Sequence, residues 1–239
     1  MIDTFCRYCR CHGHALHAAP LFLTEGNYDN FNILHALTAG KTRNFDRDKA
    51  LTRALDLFWR CGYEPASVGE LCRVMDINPP SLYAAFGSKA ALFLEAVNFY
   101  ERTYWDQPWK KMLQEENVYE SIRNFFEESA VILTSQEVPC GCLVVLAAIN
   151  VSPDSKDVYD AVKTLREEGR VFFRRRLQAG KETGQLPSDT DVEGIALTLN
   201  TLLEGMSIPA QDGITQDELK RVATLAVRLL PPQSAKNPQ

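Results

Sequence analysis

Hydrophobic positions from residue 45 onward recur at the spacing of α-helices, and the alternating β-branched runs that mark strands are few. In the first such segment the apolar side chains fall at i, i+3, i+4 and i+7, namely Leu51, Ala54, Leu55 and Phe58. Residues 1–40 show no sustained period. We therefore expect an all-α protein that is preceded by an N-terminal extension.

Helix caps divide the next part of the chain into short helices. Ser67 and Glu70 have the capping-box spacing, in which the serine hydroxyl accepts the Glu70 N–H while the glutamate side chain reaches back. Asn78 followed by Pro79 supplies a second N-cap with a first-turn proline. Gly87 permits a left-handed helix end. These signals predict helices at about 46–61, 67–76, 79–86 and 89–104.

The rest of the chain favours longer helices packed as a bundle. Beyond Pro108 the apolar pattern predicts helices at about 118–135, 141–150, 156–181, 191–208 and 216–230. Segments that contain Pro139, Pro153 or Pro209 separate them. We divide the chain into an extension expected to be poorly ordered, a small helical domain, a larger helical domain and a tail, at residues 1–43, 44–93, 94–232 and 233–239.

Composition narrows the class of protein. The chain has 239 residues, 45% hydrophobic and 24% charged, which suits a globular protein with one large or two modest cores. Its longest apolar run, residues 142–149, is far shorter than the ~20 residues of a membrane-spanning helix, and no signal-peptide pattern opens the chain. Seven cysteines, an odd number, indicate reduced thiols. We expect a cytoplasmic protein with no membrane partner.

Two short helices joined by residues 76–78 match a helix-turn-helix. Leu82 and Phe86 lie one turn apart and brace the second helix from beneath, which leaves its opposite face for a DNA major groove. Residues 41–93 carry eight basic and six acidic side chains, whereas the whole chain has a net charge of −5. This local balance permits a phosphate-binding surface.

Individual residues of this unit are candidates for DNA contact. Lys89 falls in the first turn of the fourth helix beside free N–H groups, where it suits a backbone phosphate. Tyr83 follows an inward-facing leucine, so its hydroxyl should point outward. The outer face of the recognition helix offers no Arg, Asn or Gln to read guanine or adenine bidentately. Its outer positions are Pro79, Pro80, Ser81 and Ala84.

Several features follow one another in a fixed order over residues 45–93: the apolar helix ending at Gly62-Tyr63, the capped second helix, Leu82-Tyr83, Phe86, and Lys89 followed by Leu92-Phe93. In this order they resemble the DNA-binding domain of TetR-type transcriptional regulators. Asp76 departs from the family's usual glycine at the turn, and aspartate tolerates left-handed geometry. Residues 186–230 are similar to the family's last two helices, which pair with a second subunit.

The resemblance implies a ligand-responsive regulator, most often a repressor. Such a protein binds a pseudo-palindromic double-stranded DNA operator as a homodimer, here through about residues 189–230, until a small-molecule effector tilts the fourth helix. The resemblance also implies that Ser67 touches phosphate, and we place Lys41 and Arg43 in the minor groove as an arm. Specificity should come from thymine methyl contacts and DNA shape. The predicted DNA-binding residues are Lys41, Arg43, Ser67, Asn78, Pro79, Pro80, Ser81, Tyr83, Ala84 and Lys89.

The larger domain should hold the effector between its helices, the usual place for a ligand in a bundle. The candidate pocket residues are Phe125, Phe126, Leu133, Tyr159, Phe172 and Met206. We interpret the run Arg174, Arg175 and Arg176 as the solvated side of a helix.

The alternative, from another class, is a thiol- or metal-dependent redox enzyme or sensor. Cys140 and Cys142 would supply its thiols, although their spacing is not that of a redox C-x-x-C motif. The weak candidates for a metal site crowd into one short segment instead of two separated pairs, namely Cys6, Cys9, Cys11 and His12. We assign no metal, no cofactor and no catalytic residue.

Overall fold

The computed structural model describes residues 45–232, and within that range the chain is helical without strands, as the periodicity predicts. The helices are α1 (Arg47–Cys61), α2 (Val68–Met75), α3 (Pro79–Phe86), α4 (Lys89–Tyr100), α5 (Asp106–Gln114), α6 (Val118–Leu133), α7 (Leu143–Leu146), α8 (Lys156–Glu182), α9 (Val192–Gly205), α10 (Ser207–Gln211) and α11 (Gln216–Val227). A π-helical turn, Glu101–Trp105, joins α4 to α5, and a 3₁₀ turn, Pro153–Ser155, precedes α8.

Helices α1 to α4 share a small apolar core. The Phe58 ring of α1 meets the Phe93 ring of α4 edge to face, with centroids 5.0 Å apart, and both side chains are fully buried. Leu71 of α2 and Leu82 of α3 complete this core at zero exposure. Such burial holds a two-turn helix that would be marginal alone, so Leu82→Ala should cost about 2–5 kcal/mol.

The longer helices pack in pairs around a second, aromatic core. Helix α9 packs on α8, and α11 packs on α6. Between them the rings of Phe126 and Phe173 stack at 5.8 Å. None of the described helices combines the length and the apolar character that a membrane span requires.

The helices beyond α3 differ from the sequence expectations at their ends. Pro108 lies inside α5, which continues directly from the π turn, and Pro209 is the third residue of the short helix α10. The predicted helix 141–150 is a single turn, Leu143–Leu146. The fourth helix ends at Tyr100, and the π turn begins at Glu101.

The predicted domain boundary at residues 93 and 94 falls inside α4 and stays a prediction. The extension at 1–43 and the tail at 233–239 lie outside the described residues, as do Lys41, Arg43 and the cluster Cys6, Cys9, Cys11 and His12.

Candidate nucleic-acid interface and effector cavity

The turn between α2 and α3 is built by local hydrogen bonds. The Ser67 hydroxyl accepts the Glu70 N–H at 3.1 Å, and the Glu70 carboxylate accepts the Ser67 N–H at 3.1 Å. The Ser67 hydroxyl also donates to the Glu70 carboxylate at 2.8 Å, and this bond, together with the one from the Ser67 N–H, lowers the pKa of Glu70. The two backbone N–H bonds form the predicted capping box. Asp76 ends α2 with φ 58° and ψ 48°, so the aspartate adopts the left-handed geometry that glycine would take more easily.

Helix α3 begins at a second cap and exposes its predicted face. The Asn78 side-chain oxygen accepts the Ser81 N–H at 2.9 Å, so this carboxamide oxygen is engaged in the cap. Tyr83 is 49% exposed, and Pro79, Pro80 and Ala84 are exposed as well, whereas Ser81 is half-buried. The outward direction of Tyr83 is therefore as expected, and its contact with DNA stays a prediction.

Lys89 is held toward the loop between α1 and α2. Its Nζ donates to the Glu64 carbonyl oxygen at 3.2 Å and lies 4.4 Å from the centroid of the Tyr63 ring. Desolvation lowers the pKa of this ammonium. The first turn of α4 is capped instead by Ser88, whose hydroxyl accepts the Ala91 N–H at 3.0 Å. In this conformation Lys89 braces the loop that leads to α2 and does not line the free N–H groups of α4.

An ion pair between Arg47 and Glu95, which sequence patterns did not predict, joins α1 to α4. Arg47 Nη2 donates to Glu95 Oε2 at 2.6 Å, and the guanidinium carbon lies 4.5 Å from the centroid of the Phe86 ring. Because Phe86 ends α3, this contact fixes the recognition helix against both neighbours.

A small cavity of about 50 Å³ lies among the longer helices. The π turn contributes Glu101 and Trp105 to its wall, and α5 contributes Trp109. The remaining lining residues are Cys142, Val144, Val145, Leu165, Arg166, Gly169, Asn200, Leu203 and Glu204. The wall is therefore mostly apolar and aromatic, with a few polar groups, which is the usual composition of a small-molecule site.

Burial changes the protonation of the polar groups in this wall. Desolvation raises the pKa of Glu101 to about 8, with further contributions from the negative charges of Asp106 and Glu168. Desolvation also raises the pKa of Glu204, although a hydrogen bond from Asn200 and the charge of Arg166 act in the opposite direction. Both carboxyl groups therefore hold their protons more tightly than a solvated glutamate.

The six predicted pocket residues do not line this cavity. Phe125, Phe126, Leu133 and Met206 are core side chains with almost no exposure, and Phe172 is half-buried. Phe125 and Phe172 pack against Trp109 at tilted angles, with ring centroids 4.2 and 5.1 Å from that of the indole. Tyr159 is 41% exposed, and a role of the six residues in effector binding stays a prediction.

Arg176 corrects the interpretation of the arginine run. It is buried, whereas Arg174 and Arg175 are exposed as expected. Its guanidinium donates to Ser121 Oγ at 3.0 Å and to the Glu116 carbonyl oxygen at 3.1 Å, and desolvation lowers its pKa. Arg176 therefore joins α8 to the start of α6.

The cysteines give little support to thiol chemistry. Cys142 precedes α7, the position where a helix terminus favours thiolate, but burial raises its pKa to about 12. Cys140 and Cys61 are half-buried and Cys72 is buried. In the range 45–232 no group of three or more His, Cys, Asp or Glu side chains is placed to hold a metal ion.

Comparison with known proteins matches both halves of the chain to one family. Residues 50–96 match the family described as bacterial regulatory proteins, tetR family, and residues 119–224 match the tetracyclin repressor-like C-terminal domain. The HTH-type transcriptional repressor ComR of Escherichia coli strain K12 is 31% identical over 193 residues, 80% of this chain and 92% of the relative. The repressor BdcR of the same strain is 28% identical over 188 residues, 78% and 90% of the two chains.

Solved structures extend the match to a DNA complex. A cysteine mutant of the TetR family transcriptional regulator CifR, complexed with 26 bp double-strand operator DNA, is 41% identical to this chain with a TM-score of 0.77. That match covers 80% of this chain and 100% of the CifR chain. Reduced NemR of E. coli, 19% identical with a TM-score of 0.66 over 79% and 99% of the chains, shares the fold.

Proposed function

The chain belongs to the TetR family of bacterial transcriptional regulators, and on that premise we propose that it is a repressor which leaves its operator when a small-molecule effector binds. The observation that carries the proposal is the exposed face of α3. Tyr83 and Ala84 project from a helix whose other side is anchored by Leu82 and Phe86. The DNA-bound CifR mutant, 41% identical, supports this use of the fold.

The proposed operator complex is a homodimer. Residues 189–230 contain large apolar side chains that remain exposed although α9 packs on α8 and α11 packs on α6. They are Leu197, Ile208, Leu225 and Leu229. A second subunit would cover them. Two recognition helices then meet successive major grooves, about 34–36 Å apart, on a pseudo-palindromic operator.

The predicted DNA contacts divide into two kinds. Tyr83, Ser67 and Lys89 would bind the phosphate backbone, with Lys89 leaving its intramolecular contacts to do so, and Pro80 and Ala84 would touch thymine methyl groups. Asn78, Pro79 and Ser81 would lie at the start of α3, where the Asn78 cap positions the helix against the DNA. The proposed minor-groove arm, Lys41 and Arg43, adds to this set.

Helix α4 offers the route from cavity to DNA. It begins at Lys89, next to the recognition helix, and continues into the π turn, which places Glu101 and Trp105 in the cavity wall. π-helical turns inside α-helices are frequent at functional sites. An effector that opens the cavity would move the end of α4. That movement would change the distance between the two recognition helices of the dimer. This works because the effector binds one spacing more tightly than the other.

A second route runs through the segment before and within α7. The indole N–H of Trp59 donates to the Gly141 carbonyl oxygen at 2.9 Å, and the Tyr63 N–H donates to the Ala147 carbonyl oxygen at 2.7 Å. Between these two bonds, Cys142 and Val144 line the cavity. The end of α1 is thus attached to the cavity wall at two points.

We assign the protein no catalytic role and place it in the cytoplasm, where it reaches the chromosome. The relatives ComR and BdcR are named as repressors and CifR as a transcriptional regulator, which favours the regulator over the thiol or metal alternative. That alternative would predict turnover that depends on Cys140, without operator binding.

The decisive experiment is a gel-shift titration of the full chain on the intergenic DNA upstream of its own gene. Tyr83→Ala should weaken binding by about 3–6 kcal/mol per dimer, because a hydrogen bond to a charged phosphate, worth about 1.5–3 kcal/mol, is lost on each subunit. Tyr159→Ala is the matched control, since Tyr159 is 41% exposed against 49% for Tyr83. Equal affinity of the two variants would contradict the docking.

Salt dependence provides an independent check. If each subunit neutralises about three phosphates, the logarithm of the binding constant should fall against the logarithm of salt concentration with a slope of about −5. A slope near zero would exclude the proposed phosphate contacts.

A further inference from the structure

The cavity contains a carboxyl group without a counter-ion. Within the described part of the chain, the Glu101 side chain has no hydrogen bond and no ion pair. The charged groups that act on it, Asp106 on α5 and Glu168 on α8, are both negative. Glu101 is half-buried, and a carboxylate that has lost part of its water and has no donor is poorly stabilised when it is charged.

The other charged groups of the wall have hydrogen-bond partners. Arg166 donates to the Val144 carbonyl oxygen at 3.1 Å, and its charge offsets part of the rise that burial causes in the pKa of Glu204. Glu204 in turn accepts a hydrogen bond from the Asn200 amide at 2.9 Å. Among the ionisable groups of the wall, Glu101 is thus the one left to be neutralised by a proton or by a ligand. Cys142, its remaining neighbour, stays a neutral thiol.

Two tryptophans line the same cavity as Glu101. Trp105 and Trp109 both line the cavity, with ring centroids 6.5 Å apart. The indole N–H of Trp105 donates to the Tyr100 hydroxyl at 2.8 Å. Because this donor is already engaged, the ring would contact a ligand through its π face. The negative face of an indole attracts a cation, most strongly where water is excluded.

We propose that the cavity binds an organic monocation, an amphipathic amine or quaternary ammonium compound, with its charge against an ionised Glu101 and its apolar body against Trp105 and Trp109. This inference rests on the proposed effector-responsive function and names the chemical class of the effector. Binding replaces one positive charge by another: the Glu101 proton leaves to solvent as the cation enters. The cavity must widen to admit such a ligand, since sites for small molecules have about 300–1,000 Å³.

The test uses the full-length protein and two probes of equal shape. Benzyltrimethylammonium carries the charge, and neopentylbenzene, in which carbon replaces the nitrogen, does not. Binding is followed by tryptophan fluorescence and by titration calorimetry at pH 7 in two buffers with different ionisation enthalpies. We expect the cation to bind at least about tenfold more tightly than its neutral isostere, with release of nearly one proton.

Two variants separate the charge from the shape of the site. Glu101→Gln should reduce the cation affinity about tenfold or more and abolish proton release, while the neutral probe is unaffected. Glu116→Gln, an exposed carboxylate on the segment before α6, is the matched control and should behave as the wild type. Thermal unfolding of both variants confirms that they are folded.

The outcomes distinguish this inference from the proposed function. Equal affinity for the two probes, unchanged binding by Glu101→Gln, or no binding of the cation at millimolar concentration would each overturn the cation site. Operator binding in the gel shift would remain in all three cases. Loss of operator binding by the unliganded wild type would instead refute the repressor function, whatever the probes do.

Discussion

Glu101→Gln should make the protein more stable, and increasingly so as the pH rises. The pKa of Glu101 is about 8 in the folded protein, against the ordinary value of 4.5 for a solvated glutamate. Below pH 4.5 both states carry the proton, so the residue has no effect on the pH dependence of stability. Between 4.5 and 8 the unfolded chain gains free energy by ionising while the folded chain keeps its proton. Folding stability therefore falls through this window and levels off above it.

The size of the effect follows from the two pKa values. Each pH unit between them is worth about 1.4 kcal/mol, so the penalty should grow from below about 1 kcal/mol at pH 5 to about 4 kcal/mol at pH 8. Glutamine has nearly the same shape and no proton to lose. Replacing Glu101 by glutamine removes the penalty, so the stability gained by the variant measures it directly.

Urea unfolding of the wild type and Glu101→Gln at pH 5, 6, 7 and 8 is the assay. Both are measured at one protein concentration, because the stability of a dimer depends on it, and Glu116→Gln serves as the control for the removal of a solvated carboxylate. A stability difference that stays constant from pH 5 to pH 8 would show that Glu101 ionises normally. That result would also remove the electrostatic basis of the cation site.

Three further predictions concern the DNA-binding end of the protein. Asp76→Gly should stabilise the fold by a few tenths to about 1 kcal/mol in thermal or urea unfolding, because glycine takes the left-handed φ of 58° without steric cost, and a destabilised variant would contradict this. Asn78→Ala should cost about 1 kcal/mol through loss of the cap on the Ser81 N–H, and should weaken operator binding in the gel shift more than Ser88→Ala, which removes the cap of α4. Trp59→Phe removes the hydrogen bond to the Gly141 carbonyl oxygen, and should keep operator affinity but reduce the effect of the ligand on it, whereas undiminished release by the ligand would exclude this route.

The elements near the DNA could be predicted because their signals are local. The predicted starts and ends of α1, α2 and α3 agree with the structure to within a residue or two, since Ser67, Asn78 and Gly87 mark helix ends through their own backbone and side-chain chemistry. Asp76 was also correctly judged to accept the left-handed turn. In these cases the chemistry of a single residue determines the local backbone conformation.

The cavity could not be predicted because it depends on packing between distant segments. Their aromatic character led to the prediction that Phe125 and Phe126 line the effector cavity, but both side chains are buried in the core. The polar lining residues Glu101 and Glu204 come from opposite ends of the larger helical region. One signal was present: Glu101 lies four residues after the buried Val97 and four before the buried Trp105, so a charge occupies the inward face of the fourth helix.

The small volume of the cavity and the carboxyl group without an ion pair together suggest how a ligand would change the conformation of this protein. Shifting a two-state equilibrium from 1:99 to 99:1 requires about 5.5 kcal/mol of differential binding. Keeping Glu101 protonated at pH 8 costs the closed protein about 4 kcal/mol, and a cation that fits only the widened cavity would recover much of this free energy in the open state alone. The cost of burying Glu101 is thus of the magnitude that the switch needs. Glu101→Gln should accordingly bind the operator but should no longer release it when the cation is added. If the cation still releases the operator from this variant, the charge of Glu101 is not required for the switch.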